Sequence, residues 1–356
     1  MIMNSRIGVA VVGCGYWGMN YVRLFSEMPE AKLVAVCDRS PERLAEVTWR
    51  FPDVITAFNL DDALRRDDVS VVVICTEAMS HYSMTRACLM AGKHVLVEKP
   101  ITTTVAHAEE VSLFAEQNGL TLMVGHTFIY NSGIKKIKEY IGGGGQLYYL
   151  YARRTNLGPI RRDVNVLWDL ATHDIAIFNY LLDQVPLWAC AIGARVLGNC
   201  REDVGFITLG YRNNCLGHIH VSWADPNKTR EVVAVCSDKR IVFNDLKGVE
   251  QVRVFEKGVK VLEAPPSSYG EYRLQIRDGD IVIPKVDNVE PLKEQCRHFL
   301  YCVRSKDRPI TSGWDGKEVL RVLEAIDQSL SQDGARIEIA AHNNGGRPEP
   351  VLQTAA

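Results

Sequence analysis

Two sets of residues in this chain of 356 have types and spacings that could do chemistry. The first is Gly13-Cys14-Gly15-Tyr16-Trp17-Gly18, a G-x-G-x-x-G that directly follows the apolar run Ile7–Val12 and opens a helical pattern. In that context the first glycine permits a tight turn, the second lets backbone approach a pyrophosphate, and the third lets helix and strand pack closely. The helix N-terminus adds a partial positive charge for the phosphates. Asp38 ends the second apolar run, twenty residues past Gly18, where an acid accepts hydrogen bonds from the adenosine ribose hydroxyls of a dinucleotide. A carboxylate there repels a 2′-phosphate and favours NAD, while Arg39-Ser40 beside it could bind one, so NADP stays open. The second set is Glu98-Lys99-Pro100, directly after the run His94–Val97, together with Asp169 and His173. The last two stand four positions apart on a helical pattern and so share a face. Taken singly, a lysine at a strand end is an ordinary solvated charge and a histidine on an apolar helix an ordinary core residue.

The elements that must position these residues are legible in the apolar periodicity. Continuous apolar runs of strand length at 7–12, 33–37, 69–75, 94–97 and 120–124 alternate with helical patterns near 18–28, 41–51, 60–66, 80–91 and 104–118. Runs apolar on both faces suit parallel strands covered on both sides. Ser40-Pro41 reads as an N-cap with proline at the first helical position, and Gly92 and Gly119 stand where a helix-ending glycine belongs. Repeated strand–helix units with right-handed crossovers predict an α/β, doubly wound Rossmann sheet over residues 1–125, with Lys99 at its carboxyl edge, where such sheets bind ligands. Beyond residue 125 the pattern changes. A helix is expected over 134–141, a long strand over 147–155, a helix over 165–182 and strands over 187–196, 204–211, 215–223, 231–236, 240–244 and 250–255. Turns such as Arg212-Asn213-Asn214 and Asp225-Pro226-Asn227 join them. This predicts an α+β domain over 126–290 on a large, mostly antiparallel open sheet. Two amphipathic helices near 291–305 and 315–332 would pack back on the first domain (291–335), leaving 336–356 as a terminal strand or loose tail.

Composition narrows the classes. Forty-one Lys and Arg against 43 Asp and Glu give a net charge of −2, which leaves no electrostatic footprint for nucleic acid. No apolar run approaches the ~18 residues of a membrane span, and the first run is too short for a secretion signal. The ten cysteines stand singly, without a C-x-x-C pair, which suits a reducing, cytoplasmic setting better than a disulfide framework. His218 and His220 share a strand face and could in principle chelate a metal, yet no third ligand is near; no metal is expected. The stripe Tyr148-Tyr149-Tyr151 reads as strand propensity and sheet packing.

Together these motifs resemble the glucose–fructose oxidoreductase / inositol dehydrogenase / MocA (Gfo/Idh/MocA) superfamily over about residues 6–335. The resemblance rests on Val-Val-Gly-Cys-Gly-Tyr-Trp-Gly (11–18), Ala-Gly-Lys-His-Val-Leu-Val-Glu-Lys-Pro (91–100) and Trp-Asp-Leu-Ala-Thr-His-Asp (168–174). It extends to Val-Gly-His-Thr-Phe-Ile-Tyr-Asn (124–131), Gly-Asp-Ile-Val-Ile-Pro (279–284) and the closing helices. The Gly-Tyr-Trp-Gly form and Arg-Arg-Thr-Asn-Leu-Gly (153–158) look most like the branch acting on sugar nucleotides, which includes UDP-N-acetylglucosaminuronate 3-dehydrogenases and 3-ketosugar reductases. The resemblance implies an NAD(P)-dependent oxidoreductase acting on a ring hydroxyl, at C3 in that branch, with Lys99, Asp169 and His173 as its catalytic set. It further implies cofactor contacts from Gly13, Gly15, Tyr16, Trp17, Gly18, Asp38, Arg39, Thr76, His81, Glu98, Lys99 and Trp168. Substrate contacts are expected from Lys99, Tyr130, Asn131, Arg153, Arg154, Asn156, Asp169 and His173, an arginine at 153 or 154 gripping a diphosphate or sugar carboxylate. The peptide before Pro100 is often cis in the family. Two departures stand out: Thr76-Glu77-Ala78 replaces the usual Thr-Pro-Asn, and Thr172 replaces a proline before the histidine. Alcohol oxidation needs a base at the hydroxyl as the hydride leaves, and Lys99 or His173 could serve, with Asp169 orienting His173 or binding substrate. An open sheet with an apolar outer face also favours a homodimer or homotetramer. The alternatives are an inositol or free-sugar dehydrogenase and, in another class, a catalytically idle NAD-sensing regulator.

Overall fold

The computed structural model describes residues 6–161, 164–198, 200–261 and 274–339. The first sheet comprises β1 (Ile7–Val12), β2 (Ala31–Cys37), β3 (Ile55–Ala57), β4 (Val71–Ile74), β5 (His94–Val97) and β6 (Leu122–Val124). They run parallel in the order β3-β2-β1-β4-β5-β6. The order reverses between β1 and β4, the crevice in which doubly wound sheets take their ligand. The linking helices are α1 (Tyr16–Glu27), α2 (Pro41–Arg50), α3 (Leu60–Leu64), α4 (Ala78–Met90) and α5 (Val105–Gln117). Every residue of β4 is buried, as the unbroken apolar run requires of an inner strand. The helix signals act as read: Ser40 Oγ accepts from Arg43 N, Pro41 is the first helical residue, and Gly92 and Gly119 take φ of +71° and +63°. Strand β3 was not expected. It is a three-residue edge strand with no fully buried position, so it carries no apolar run.

Beyond β6 the chain passes through a short 3₁₀ turn (Thr127–Tyr130) and α6 (Ser132–Gly142) into β7 (Leu147–Leu157), a π turn (Leu167–Ala171) and α7 (Thr172–Leu182). The strands that follow are β8 (Trp188–Ala194), β9 (Val204–Gly210), β10 (Leu216–Ser222), β11 (Ala224–Cys236), β12 (Arg240–Asn244) and β13 (Val252–Phe255). A ribbon of β14 (Gly258–Val261) with β15 (Leu274–Arg277) precedes β16 (Ile281–Val282), and the described chain closes with α8 (Pro291–Ser305), α9 (Gly313–Ser331) and β17 (Ile337–Glu338). Among the described residues the second sheet has nine strands in the order β16-β13-β12-β11-β7-β10-β9-β8-β17. Of their pairings only the central β7–β10 one is parallel, so the sheet is mostly antiparallel. Helices α6 and α9 cover one face, and α7 packs on it through Asp174 against Arg154 and Phe178 against Gly217. The other carries Tyr149, Ile192, Phe206 and Leu216, all exposed.

Two local expectations need correction. Residues 165–182 are not one α-helix: the first turn is a π turn in which the Trp168 carbonyl accepts from the Thr172 hydroxyl (2.5 Å) and the Trp168 N–H is held by Asn165 Oδ1 (2.9 Å). Those side chains make the bonds of a wider turn. Asp225-Pro226-Asn227 is not a turn between strands but an irregularity inside β11, whose register shifts between Ala224 and Thr229; a bulge tolerates the proline.

The C-terminal helices tie the two sheets together. Arg23 pairs with Glu290 at the start of α8 (2.5 Å), and α9 lies between α5 and β8. The edge of β6 is closed by backbone from the segment before α9: Val124 N donates to Thr311 O (2.7 Å) and the Thr311 hydroxyl donates back to Val124 O (2.8 Å). Of the expected tail, Ile337–Glu338 pairs with β8, and residues from 340 on lie outside the described residues.

Candidate active site

The three glycines of the first loop answer to different constraints. Gly13 has φ +90°, and a Cβ there would stand 2.8 Å from the Cys75 carbonyl; a Cβ on Gly18 would stand 1.7 Å from the Gly13 carbonyl. Both are needed by the chain's own packing. Gly15 is not: its φ is −66° and the nearest atom to an added Cβ is Arg43 Nη1 at 4.0 Å. Its bare backbone faces open space beside a helix start with no acidic side chain and no side-chain cap, which suits a pyrophosphate. Asp38 closes the loop, accepting from Cys14 N (2.6 Å) and Ser40 N (2.8 Å) with Arg43 at 3.5 Å. Burial alone would raise its pKa, but those bonds and the guanidinium outweigh it and hold the carboxyl below its ordinary value. Tyr16 and Trp17 stand exposed on the first turn, edge to face, and Arg39 is exposed beside Asp38. These residues fit a bound NAD.

Thr76 and His81 hold loops together. The buried His81 ring lies 2.7 Å from Pro100 O and 3.0 Å from Thr76 O, tying the loop after β4 to the loop after β5, while the Thr76 hydroxyl bonds Ser80 (2.7 Å). Burial lowers the His81 pKa. Lys99 thus follows a braced turn, and its peptide to Pro100 is cis.

Lys99 Nζ donates to the backbone carbonyl of Asp169 (2.9 Å) and to Asp169 Oδ1 (3.2 Å), and Arg161 Nη1 reaches the same oxygen (3.2 Å). The carboxylate therefore holds Lys99 and Arg161, and the hydrogen bonds of its side chain do not include His173. Among the described residues His173 Nδ1 has no hydrogen-bond partner. Its ring packs edge-on against Phe128 (5.0 Å), and its pKa lies well below 6.5, chiefly from burial and then from Lys99, Arg154, His126 and Arg230. His126, also buried, is pushed down to about 4 by burial and by Lys99, and among the described residues neither ring nitrogen has a partner. The site thus joins a held lysine to two neutral imidazoles.

The arginine expectation requires correction. Adjacent residues on a strand point to opposite faces. Arg154 faces α7, where it pairs bidentately with the buried Asp174 (3.0 and 2.8 Å) and covers the Phe128 ring at 4.2 Å. Arg153 lies on the opposite sheet face, in register with His220 and bonded to Asp225 (3.3 Å). Neither offers a free fork to a ligand beside Lys99. Tyr130 is likewise buried, its hydroxyl 3.1 Å from Thr311, and Asn131 caps α6 through Gly133 N (2.8 Å) and donates to Asp245 (3.2 Å). Both are occupied in packing. Asn156 donates to the Gly158 carbonyl, and Trp168 donates its indole N–H to Asp327 of α9 (2.8 Å). Sequence reading missed His126, Phe128, Arg161, Asp174 and Arg230. The period of β11 aligns Arg230 with Arg154, but only once the strand pairing is known.

A parallel sheet with a glycine loop at its switch point, and a lysine held at the same edge, define an NAD-binding oxidoreductase. Residues 7–126 match the family model described as oxidoreductase family, NAD-binding Rossmann fold, and residues 149–242 match the GFO/IDH/MocA C-terminal domain. The two matches span more than half of the chain, which belongs to the Gfo/Idh/MocA oxidoreductase family. It is 24% identical over 320 residues to UDP-N-acetylglucosamine 3-dehydrogenase from Acidithiobacillus ferrooxidans, covering 90% of this chain and 95% of that one. It is 25% identical to myo-inositol 2-dehydrogenase from Thermotoga maritima, covering 92% and 96%. A 32% match to 4-carboxy-2-hydroxymuconate-6-semialdehyde dehydrogenase from a Sphingobium strain covers 50% of this chain and 59% of that enzyme. The crystal structure of GenD2 from gentamicin A biosynthesis, in complex with NAD, shares the fold with a TM-score of 0.79 at 22% identity, over 95% and 97% of the two chains. The chain is an NAD-dependent oxidoreductase of that family. Among the described residues no helix is long and apolar enough to cross a membrane, and no group of side chains could hold a metal ion.

Proposed function

We propose that the chain moves a hydride between NAD and the carbon that bears a ring hydroxyl, taken as C3 from the branch resemblance, of a sugar nucleotide such as a UDP-N-acetyl-hexuronate. The observation that carries this reading is the cluster of carboxylate-paired cations around the neutral His173, Lys99 and Arg161 on one Asp169 oxygen and Arg230 on Asp245 (3.3 Å), whose pairing an anionic sugar can share. Bound NAD supplies the hydride acceptor. Lys99, steadied by Asp169, lies beside the reacting hydroxyl and polarises its oxygen. His173, neutral with an unpartnered nitrogen, receives the hydroxyl proton. Arg161, which shares the Asp169 oxygen with Lys99, and Arg230, on the same sheet face as Arg154 and paired with Asp245 (3.3 Å), take the place of Arg153 and Arg154 as the cations proposed to meet the substrate's charge. The experiment is a panel of UDP-sugars, dTDP-sugars and myo-inositol followed at the nicotinamide absorbance. Turnover with UDP-hexuronates is expected. Turnover with myo-inositol alone would replace this reading with the polyol one, and no turnover with any sugar would favour a sensor.

A second copy of the chain is proposed to cover the open sheet face, where Ile192, Phe206 and Leu216 are 61%, 45% and 45% exposed. Light scattering of the wild type and of Phe206→Glu tests it. A wild-type monomer would end the idea.

A further inference from the structure

Glu98 is held by a line of side chains with no part in the proton transfer to His173. The Thr127 hydroxyl donates to Gln295 Oε1 (2.9 Å), Gln295 Nε2 donates to the Tyr21 hydroxyl (2.6 Å), and that hydroxyl donates to Glu98 Oε1 (2.7 Å). The four residues come from the 3₁₀ turn, α8, α1 and the end of β5. Every donor points toward the carboxylate, whose other oxygen accepts the Lys99 N–H (3.2 Å). Tyr21 and Gln295 are fully buried, so a broken link would strand polar groups away from water. Gly125 makes room for the carboxylate: a Cβ there would stand 2.9 Å from Oε1.

The relay ends at the cofactor edge. Cys75 packs next to the glycine loop, its carbonyl 2.8 Å from where a Gly13 Cβ would be, and it also faces Glu98. The other titratable groups facing the carboxylate are Lys99 beside it, Tyr21 from α1 and Cys296 from α8. Burial pushes Tyr21 and both thiols well up, so they stay protonated. Burial raises Glu98 as well, and Tyr21 and Lys99 oppose that rise without cancelling it, so the carboxyl stays above its ordinary value.

We propose that Tyr21 and Gln295 are positioning residues that hold the Glu98 carboxylate as a fixed negative charge of the cofactor site. Through it the chain binds the cationic, oxidised nicotinamide in preference to the neutral, reduced one. The proposal concerns binding alone and does not depend on which sugar is oxidised. It is tested by measuring Kd for NADH by fluorescence and for NAD⁺ by competition, from about pH 5 to about pH 9. In the wild type the NAD⁺ preference should fade toward acid pH as Glu98 protonates. Glu98→Gln should weaken NAD⁺ relative to NADH on the order of tenfold, the scale of one charge pair within a protein site. Tyr21→Phe removes the donor, so its preference should fade at a higher pH than in the wild type, and Gln295→Met should shift it the same way. A wild-type ratio flat with pH, an unchanged ratio in Glu98→Gln, or unshifted midpoints in the two relay variants would each overturn the proposal. A flat wild-type ratio overturns the proposal even if a variant fails to fold, and the unchanged or shifted ratio in Glu98→Gln separates Glu98 from His126 and His173, which also gain protons toward acid pH.

Discussion

Gly15→Ala separates a glycine kept for a ligand from one kept for the fold. The added methyl meets no protein atom closer than 4.0 Å, and φ −66°, ψ −168° is a conformation open to alanine. Lower unfolded-state entropy favours the variant by about 0.4–1 kcal/mol and the poorer N-cap costs a similar amount, so its ligand-free stability should stay within about 1 kcal/mol of wild type. Binding should suffer instead. A methyl where the pyrophosphate must approach displaces at least one N–H bond to a charged group, about 1.5–3 kcal/mol, or roughly 10- to 150-fold in Kd. Urea unfolding with and without NADH reads both quantities. At 100 times the wild-type Kd the ligand adds about 2.7 kcal/mol to the wild type, and a hundredfold weaker variant would keep about 0.4 kcal/mol. Gly18→Ala is the contrast, because its methyl would stand 1.7 Å from the Gly13 carbonyl and should destabilise the ligand-free protein. Gly15 is not kept for a ligand if Gly15→Ala retains the full NADH response, or if it unfolds as readily as Gly18→Ala.

Lys99→Met should remove nearly all turnover while the protein still quenches NADH fluorescence; normal turnover would remove Lys99 from the chemistry. His173→Asn should cost ~10²–10⁴ in kcat, the range for a positioned base, and a much smaller loss would hand the proton to Lys99. Asp174→Ala leaves Arg154 buried without its partner and should cost about 3–5 kcal/mol in urea unfolding, most of it recovered when Arg154 is also replaced by Met. His126 gives a pH prediction. Its folded pKa, about 4, lies below the 6.5 of the unfolded chain, so the unfolded state binds the proton first. Stability should therefore fall as pH drops from about 6.5 toward about 4, by about 3 kcal/mol in all, and His126→Phe should flatten that part of the profile.

The first sheet was legible because its inner strands are buried on both faces, so β1 and β5 appear in the sequence as unbroken apolar runs with caps between them. Lys99, Asp38 and the glycine loop were legible for a related reason: each lies next to such a run, so locating the strand locates the residue. Arg153 and Arg154 show where that logic stops. Their adjacency reads as a cationic pair, whereas strand alternation sends one side chain to each face, and only the pairing with β10 and β11 shows which. The π turn was hidden because Asn165 and Thr172 reshape a segment whose apolar spacing is helical. The relay from Thr127 to Glu98 spans residues 21 to 295, and no local pattern can announce a contact at that separation.

The closure of β6 by the Thr311 segment bears on how the protein is made. Thr311 leaves the ribosome 187 positions after Val124. Until it arrives, the nascent first sheet has a finished hydrophobic interior and an unpaired outer strand, the arrangement that invites pairing with other chains. Chains cut short before residue 311 should therefore be less soluble than their length alone suggests, and the final helices act in effect as a late-arriving guard on an edge laid down early.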